Sequence, residues 1–462
     1  PSTGIELYGP NVPNGSWLFA EGAASAQADG FLTFYLVQNP NPVNVALRVF
    51  YSSDDGRLIV KTYMVPARSR LTLSLGAEAG AGAFSAVFQS QTVQADINVE
   101  RSMYFGPNFE VSTAEKASHF LSTYWVFAEG SRGGELFDNF FLFFNPNPST
   151  ANVNVAFYTP NGVGAGQRTF TIPSGRRVTI SANDIPELAG QDFGTIVTSD
   201  AGILVERSMF WRPLGTPPGT PWVGGHTALG AMGLNSRWFF AEGAAAPGFE
   251  TFYLVFNPTS TTLVLEANFF TEAQGLVQRV IAVPPGGRQA IYANAVLGNI
   301  GGMAASFSGN TPFIAERSIY WGQGRAEGTN TIGETNVSWR WYLPEGVAGG
   351  NFETFLLLGN PNSTAATVDI SLQIEGYGQI TLPPSMRKVV PGWGRLTLYM
   401  PSVLREMEIA EGLPAGSLAN ASFGTTVRVF AGPPIIAEHA IYWRRDGSNF
   451  WRAGSAAFGT PR

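Results

Sequence analysis

The residues able to do chemistry come in repeated sets. A glutamate follows an aromatic run four times, in "SWLFAEG" (16–22), "YWVFAEG" (124–130), "RWFFAEG" (237–243) and "RWYLPEG" (340–346), which places Glu21, Glu129, Glu242 and Glu345. An arginine opens a strand-like segment four times behind a Pro- and Gly-rich turn: Arg70 in "SRLTLSL", Arg177 in "RRVTISA", Arg288 in "GRQAIYA" and Arg395 in "GRLTLYM". Carboxylates can act as general acids and bases, or in pairs on a glycosidic bond. A reaction needs its carboxylate once, however. Fourfold recurrence with an equally recurrent arginine fits structural ion pairs that fix register. A second arginine set lies in "VERSMYF" (99–105), "VERSMFW" (205–211) and "AERSIYW" (315–321). It fails in the fourth copy, "AEHAIYW" (437–443), where His439 replaces Arg, so Arg70, Arg177, Arg288 and Arg395 are the expected partners.

Other signatures are thin. Histidine occurs only at His119, His226 and His439, in non-equivalent places, and recommends no Ser-His-acid triad. There is no G-x-S-x-G, P-loop or H-E-x-x-H. "SSDDG" (52–56) resembles a fragment of a Ca²⁺ loop, but the equivalent positions in "TPNG" (159–162) and "TEAQG" (271–275) lack the acids, so a hairpin turn is expected. Asn39, Asn145, Asn257 and Asn360 each precede Pro, which ends a strand, and the amide can bond nearby backbone. A glycan-binding loop is the alternative. Sequons stand at Asn14, Asn336, Asn362 and Asn420. Cys is absent, which excludes disulfides and thiolate sites. The reading calls for no catalytic residue, metal or cofactor.

The elements that must position these residues are strands. The chain has 462 residues with 44% hydrophobic and 13% charged residues, 54 Gly, 31 Pro and 34 Phe. Aromatic strands broken by Gly and Pro turns give that profile. A net charge of −6 argues against nucleic acid or an anionic membrane surface as partner, and no apolar run is long enough to span a bilayer. The glutamates recur at a spacing of roughly 110 residues, too long for a solenoid repeat. The expected fold is all-β: four tandem immunoglobulin-like antiparallel β-sandwich domains at 1–105, 106–211, 212–321 and 322–446. Helical turns are expected only near 183–189 and 402–411. In "RWFFAEG" Trp238 and Phe240 face one way, Phe239 and Ala241 the other, so the strand is central or lies beneath a neighbouring domain.

The segments between units repeat as well. "IELYG" (5–9) and "HTALG" (226–230) read as equivalent first strands, and "NFWRAGSAAFG" (449–459) matches "TPWVGGHTALG" (220–230). Residues 447–462 are therefore expected as the first strand of a next repeat. Either the chain is cut from a longer array, or this strand, with Trp451, Gly454, Ala457, Phe458 and Gly459, adds to another copy head-to-tail.

The order "WFFAEG…FETFYLVFNP…VPPGGR…AERSIYW", then "GGHTALG", resembles the tandem Trp-x-Phe-Ala-Glu-Gly repeats of secreted bacterial surface proteins over essentially the whole chain. The resemblance implies an extracellular or cell-surface location and no established activity. The fourth unit departs most, at Pro344, at His439 and around 384–393 and 405–418, and any special contact is expected there. The expected function is structural: a rod or filament subunit, not an enzyme, whose partners are copies of itself or neighbouring repeats. The alternative is an adhesin or carbohydrate-binding array on cell-wall glycans. For that reading Trp222, Trp393 and Trp451 are the candidate sugar-stacking residues, with interdomain packing as their other use.

Overall fold

The computed structural model describes residues 15–462 apart from 28–29, 107–108, 110, 134–135, 213–215, 217–220, 272–273, 323 and 445–450. The proposed strand at 5–9 and the sequon at Asn14 lie outside the described residues. The protein is nearly all β, 62% strand against 8% helix, built from antiparallel sheets. One arrangement recurs four times. The opening strand (Ser16–Phe19 in the first copy) pairs with Gly82–Ser90, which pairs with the hairpin Val45–Ser53 and Leu58–Val65. The facing sheet runs from Ser69–Ser74 through Leu32–Asn39 to the closing strand Asn98–Phe105 and the last strand Val111–Lys116. In the second and third copies one long strand, Gly194–Trp211 or Gly301–Trp321, serves both sheets.

Local sequence explains the elements. Along Leu263–Thr271, Leu263, Leu265, Ala267 and Phe269 are fully buried, whereas Val264 and Glu266 face solvent, the period-two pattern of a strand with one face on the core. The Asn of each Asn-Pro is a clamp. Asn257 Nδ2 donates to the carbonyls of Thr261, Val283 and Pro284 at 2.8, 3.2 and 3.0 Å, and its Oδ1 accepts from Thr259 N. Asn39 and Asn145 do the same in their own repeats, and Asn360 bonds the Thr364 and Val390 carbonyls and accepts from Asn362 N. Helix forms at Met400–Glu411, and 3-10 turns at Ala182–Asp184 and Pro186–Leu188, where helical turns were expected. Two five-residue helices, Leu75–Ala79 and Ala293–Leu297, were not expected, because so short an element shows no periodicity.

The repeat boundaries need correction. The segments expected to begin the following units instead end the preceding ones. Gly224–Leu229 pairs with Glu206–Trp211, Glu327–Ile332 with Glu316–Trp321, and Trp451–Phe458 with the closing strand Ile436–Arg444. Each covers what would be a bare sheet edge. Each then crosses to the opening strand of its own repeat, through Ser118 with Leu18, Ala231 with Val126, Glu334 with Phe239 and Thr460 with Tyr342. The terminal strand is therefore not an overhang. Gly454 pairs with Tyr442, Ala457 with His439, Phe458 with Glu438 and Trp451 with Arg444, and Gly459 N donates to Ala437 O at 3.1 Å. In this structure the strand is thus paired within its own chain.

The four last strands also pack on one another. Val111–Lys116 and Glu327–Ile332 each lie against both Gly224–Leu229 and Trp451–Phe458, so the first repeat meets the second and the fourth, and the cycle closes. The cores are continuous across three of the four junctions. Trp17 and Phe19 fill the first core, while Leu18 and Ala20 on the opposite strand face join the second. Val126 and Ala128 join the third core, and Phe239 and Ala241 the fourth. That two-faced burial is what aromatics on both sides of the opening strand imply. The fourth opening strand breaks the pattern: no residue of the fourth repeat belongs to the first core among the described residues.

Candidate functional site: the carboxylate clusters between repeats

Adjacent residues of a strand point to opposite faces, and the Glu-Arg dipeptide of the first three closing strands uses this to hold two neighbours at once. Glu206 reaches back to the first repeat, where its Oε1 accepts from Ala20 N at 2.8 Å and its Oε2 from Arg101 Nη1 at 2.5 Å. Arg207 reaches forward to the third, donating to Glu316 Oε2 at 2.9 Å, and back to the second repeat's own Glu129, at its carbonyl (2.7 Å) and Oε2 (3.1 Å). Glu316 in turn accepts from Ala128 N at 2.6 Å. The third junction repeats this with Arg317, Glu438, Glu242 and Ala241 N. Each guanidinium lies over the ring of the phenylalanine that precedes Ala-Glu in the motif, 5.5 Å from Phe19, 5.6 Å from Phe127 and 5.9 Å from Phe240.

These groups are removed from water. Arg101, Arg207 and Arg317 have no exposed surface, and Glu21, Glu129, Glu242 and Glu345 are 3–5% exposed. Burial pushes the Glu206 and Glu242 carboxyls above the usual range against the pull of Arg101 and Arg317. For Arg101 and Arg317 burial favours the neutral form, but the surrounding carboxylates outweigh it and both are held above the ordinary value. His226, between Glu129 and Arg207, is driven well below its usual pKa by burial and then by Arg207. The arrangement is a buried charge cluster that joins neighbouring repeats, although Arg101 Nε and Nη2, Arg207 Nε, Arg317 Nε and Nη2 and Glu242 Oε2 make no hydrogen bond.

The expected partners are only partly brought together. Glu21 meets Arg177 at 3.5 Å, but the guanidinium hydrogen-bonded to Glu129 is Arg207, and that in ion-pair range of Glu242 is Arg317. The turn arginines act chiefly on backbone across the junction. Arg70 Nε donates to Pro344 O, Arg177 Nε to Ala20 O, Arg288 Nε to Ala128 O and Arg395 Nη1 to Gly243 O. Arg70 also pairs with Glu375 and Arg288 with Asp192. The preference for the turn set is thus corrected at Glu129 and Glu242, whose buried pairs are made by the closing set, and holds at Glu21 with Arg177. Sequence reasoning missed Glu100, Glu206, Glu316 and Glu438. Their signal was present, since this Glu stands in all four closing phrases whereas the Arg beside it stands in three.

The fourth junction, where the last repeat meets the first, differs at three equivalent positions. Leu343 replaces Phe, Pro344 replaces Ala and His439 replaces Arg. His439 Nε2 lies 2.6 Å from Glu100 Oε1, and Glu100 Oε2 accepts from Glu345 N at 3.2 Å. Pro344 has no N–H, so the donor that Ala20, Ala128 and Ala241 supply to the other closing glutamates is lost. Burial opposes charge on His439, but Glu100 and its hydrogen bond outweigh that and raise its pKa. Burial, then repulsion from Glu100, raises Glu345. The rest of this seam is polar, with Gln38 Nε2 donating to Gln373 Oε1 at 2.5 Å and Thr72 Oγ1 to Glu375 Oε2 at 2.7 Å.

The proposed sugar-stacking residues are occupied differently. Trp222 stacks on Phe210 at 4.7 Å and donates to Asp138. Trp451, at the matching place two repeats on, stacks on Tyr442 at 4.7 Å and donates to Glu353. Trp393, 38% exposed, lies 5.8 Å from Phe270 of the third repeat.

No protein-family model and no curated protein matches the sequence. Among solved structures, Thermotoga maritima 1070 aligns over 97% of its own length with 23% of this chain, at 17% identity and a TM-score of 0.22. The Anabaena sensory rhodopsin transducer aligns over 94% of its length with 18% of this chain, at 16% identity and 0.17. A tetra-tandem repeat from the extending region of a large adhesion protein aligns over 95% of its length with 93% of this chain, at 12% identity and 0.11. Scores this low transfer neither function nor assembly.

Proposed function

We propose that this chain is a non-catalytic structural subunit of the bacterial cell surface: a closed ring of four β-sandwich repeats. The observation that carries the proposal is the commitment of the recurrent charges. Every opening-motif glutamate is at most 5% exposed, and the closing glutamates and arginines bind one repeat to the next. Head-to-tail contacts either run on as filaments or close as rings, and here the fourth repeat returns to the first through His439 and Glu100. Extracellular location rests on the resemblance to secreted surface repeats. Electron microscopy of the purified chain tests the reading. Discrete four-lobed particles support it, and extended rods or ordered fibres refute it.

A second reading, an adhesin, is favoured by one groove. Phe249, Trp321 and Trp451 line a hollow of about 880 Å³ with Arg444, Arg452 and Glu327 at the junction of the third and fourth repeats. Aromatic faces beside charged hydrogen-bonding groups suit sugar rings. Glycan-array binding that is lost in Trp451→Ala supports this reading, and a blank array counts against it.

A further inference from the structure

The seam between the fourth and first repeats is a candidate metal site. At the other three junctions a guanidinium sits between two buried carboxylates. At the seam the carboxylates remain, as Glu100 (0% exposed) and Glu345 (4%), but the cation is replaced by the shorter imidazole of His439 (2%). One ligand atom from each of the three lies within 4.8 Å of the others. A tetrahedral or octahedral ion with bonds of about 2.1 Å needs ligand atoms some 3–4 Å apart, which small side-chain rotations reach. One buried carboxylate oxygen of the cluster, Glu345 Oε2, lacks a hydrogen-bond partner, as does Glu242 Oε2 at the third junction. Pro344 has removed a further donor from Glu100. Two sequence changes at this junction, Pro344 and His439, therefore act together: they strip donors from a carboxylate pair and place an imidazole beside it.

We propose that Glu100, Glu345 and His439 bind one divalent first-row transition metal, which clasps the ring at its non-covalent seam. Two carboxylates with one neutral imidazole suit Mn²⁺, Fe²⁺, Co²⁺ or Zn²⁺; Mg²⁺ and Ca²⁺ prefer all-oxygen sets. Tyr104, whose hydroxyl is 3.4 Å from Glu345 Oε1, supplies outer support, while the Arg70 guanidinium, bonded to Pro344 O and Glu375, lies close enough to act on both carboxylates, as the turn arginines do elsewhere. The ligands come from both sides of the seam, Glu100 from the first repeat and the other two from the fourth, so binding is coupled to closure. The proposal rests on the closed ring.

The test is metal titration of the tag-free full chain after chelator treatment, with Zn²⁺ and Mn²⁺ as probes, read by bound-metal analysis and melting temperature. Wild type is expected to hold about one equivalent and to melt higher with metal. His439→Arg restores the group found at the other three junctions. It is expected to fold, to melt at or above the metal-free wild type and to bind no metal there. Glu345→Gln, which keeps the side chain's size, should weaken binding by at least about tenfold. No stoichiometric binding by wild type, or equal binding by wild type and His439→Arg, overturns the proposal. Absence of binding in a chain that still scatters X-rays as a compact ring overturns the metal site alone; an extended chain overturns the ring reading beneath it.

Discussion

Replacing Arg207 by Met removes one buried cation and keeps the stem that packs on Phe127. The wild-type guanidinium donates to Glu316 Oε2 (2.9 Å), Glu129 O (2.7 Å), Glu129 Oε2 (3.1 Å) and Asn330 Oδ1 (2.9 Å). Glu129 and Glu316 are 4% and 0% exposed, so neither carboxylate can turn to solvent. Breaking a buried pair from one side costs about 3–5 kcal/mol. In thermal unfolding, about 4 kcal/mol lowers the melting point by about 4 °C if the whole ring melts together, but by about 16 °C if a quarter of the chain melts alone. Adding Glu316→Gln to the variant removes one of the two stranded charges and should restore part of the loss. A deficit below about 1 kcal/mol, or no recovery in the double variant, refutes the fastener argument.

Three further outcomes are expected. Glu115 on the inner strand Val111–Lys116 accepts from Leu229 N at 2.8 Å, and burial pushes its carboxyl up to about 7. Its contribution to stability is present below the unfolded value and lost as pH rises through about 7, so Glu115→Gln should flatten the fall of unfolding free energy between pH 5 and 8, by up to about 3 kcal/mol. A chain lacking 451–462 loses the partner of Ile436–Arg444 and bares a sheet edge, so size-exclusion chromatography should show self-association, and a stable monomer with unchanged melting point would contradict the strand assignment. Asn257→Ala removes three carbonyl contacts of the third repeat's clamp and should cost about 2–3 kcal/mol by denaturant titration, with a loss under about 0.5 kcal/mol counting against the clamp.

Much of this fold could be read from the chain because the signals are local. Period-two alternation, Asn-Pro strand ends and aromatics on both faces of "RWFFAEG" gave the strands, the turns and the burial of the opening strand beneath a neighbour. The site was half readable. Glu21, Glu129, Glu242 and Glu345 were expected in ion pairs with the turn arginines, which holds for Glu21 with Arg177 but not for Glu129 and Glu242, because strand neighbours such as Glu206 and Arg207 act on different repeats and linear spacing does not show which. Closure was hidden for the same reason. "SAAFG" matches "HTALG" in sequence whether the strand ends its own repeat or begins another; only its pairing with Ile436–Arg444 decides. The departures at Leu343, Pro344 and His439 were visible as letters, but their shared location at the seam required the ring.

Small-angle X-ray scattering of the monomeric chain tests closure most directly. A compact ring of this length should give a radius of gyration near about 23 Å, slightly more for a central opening, with a pair-distance distribution of one main maximum. Four such repeats end to end, each of about 13 Å, would give about 40 Å and a long tail of distances. The first result is the one predicted; the second would contradict the contact of His439 with Glu100 and the ring built on it.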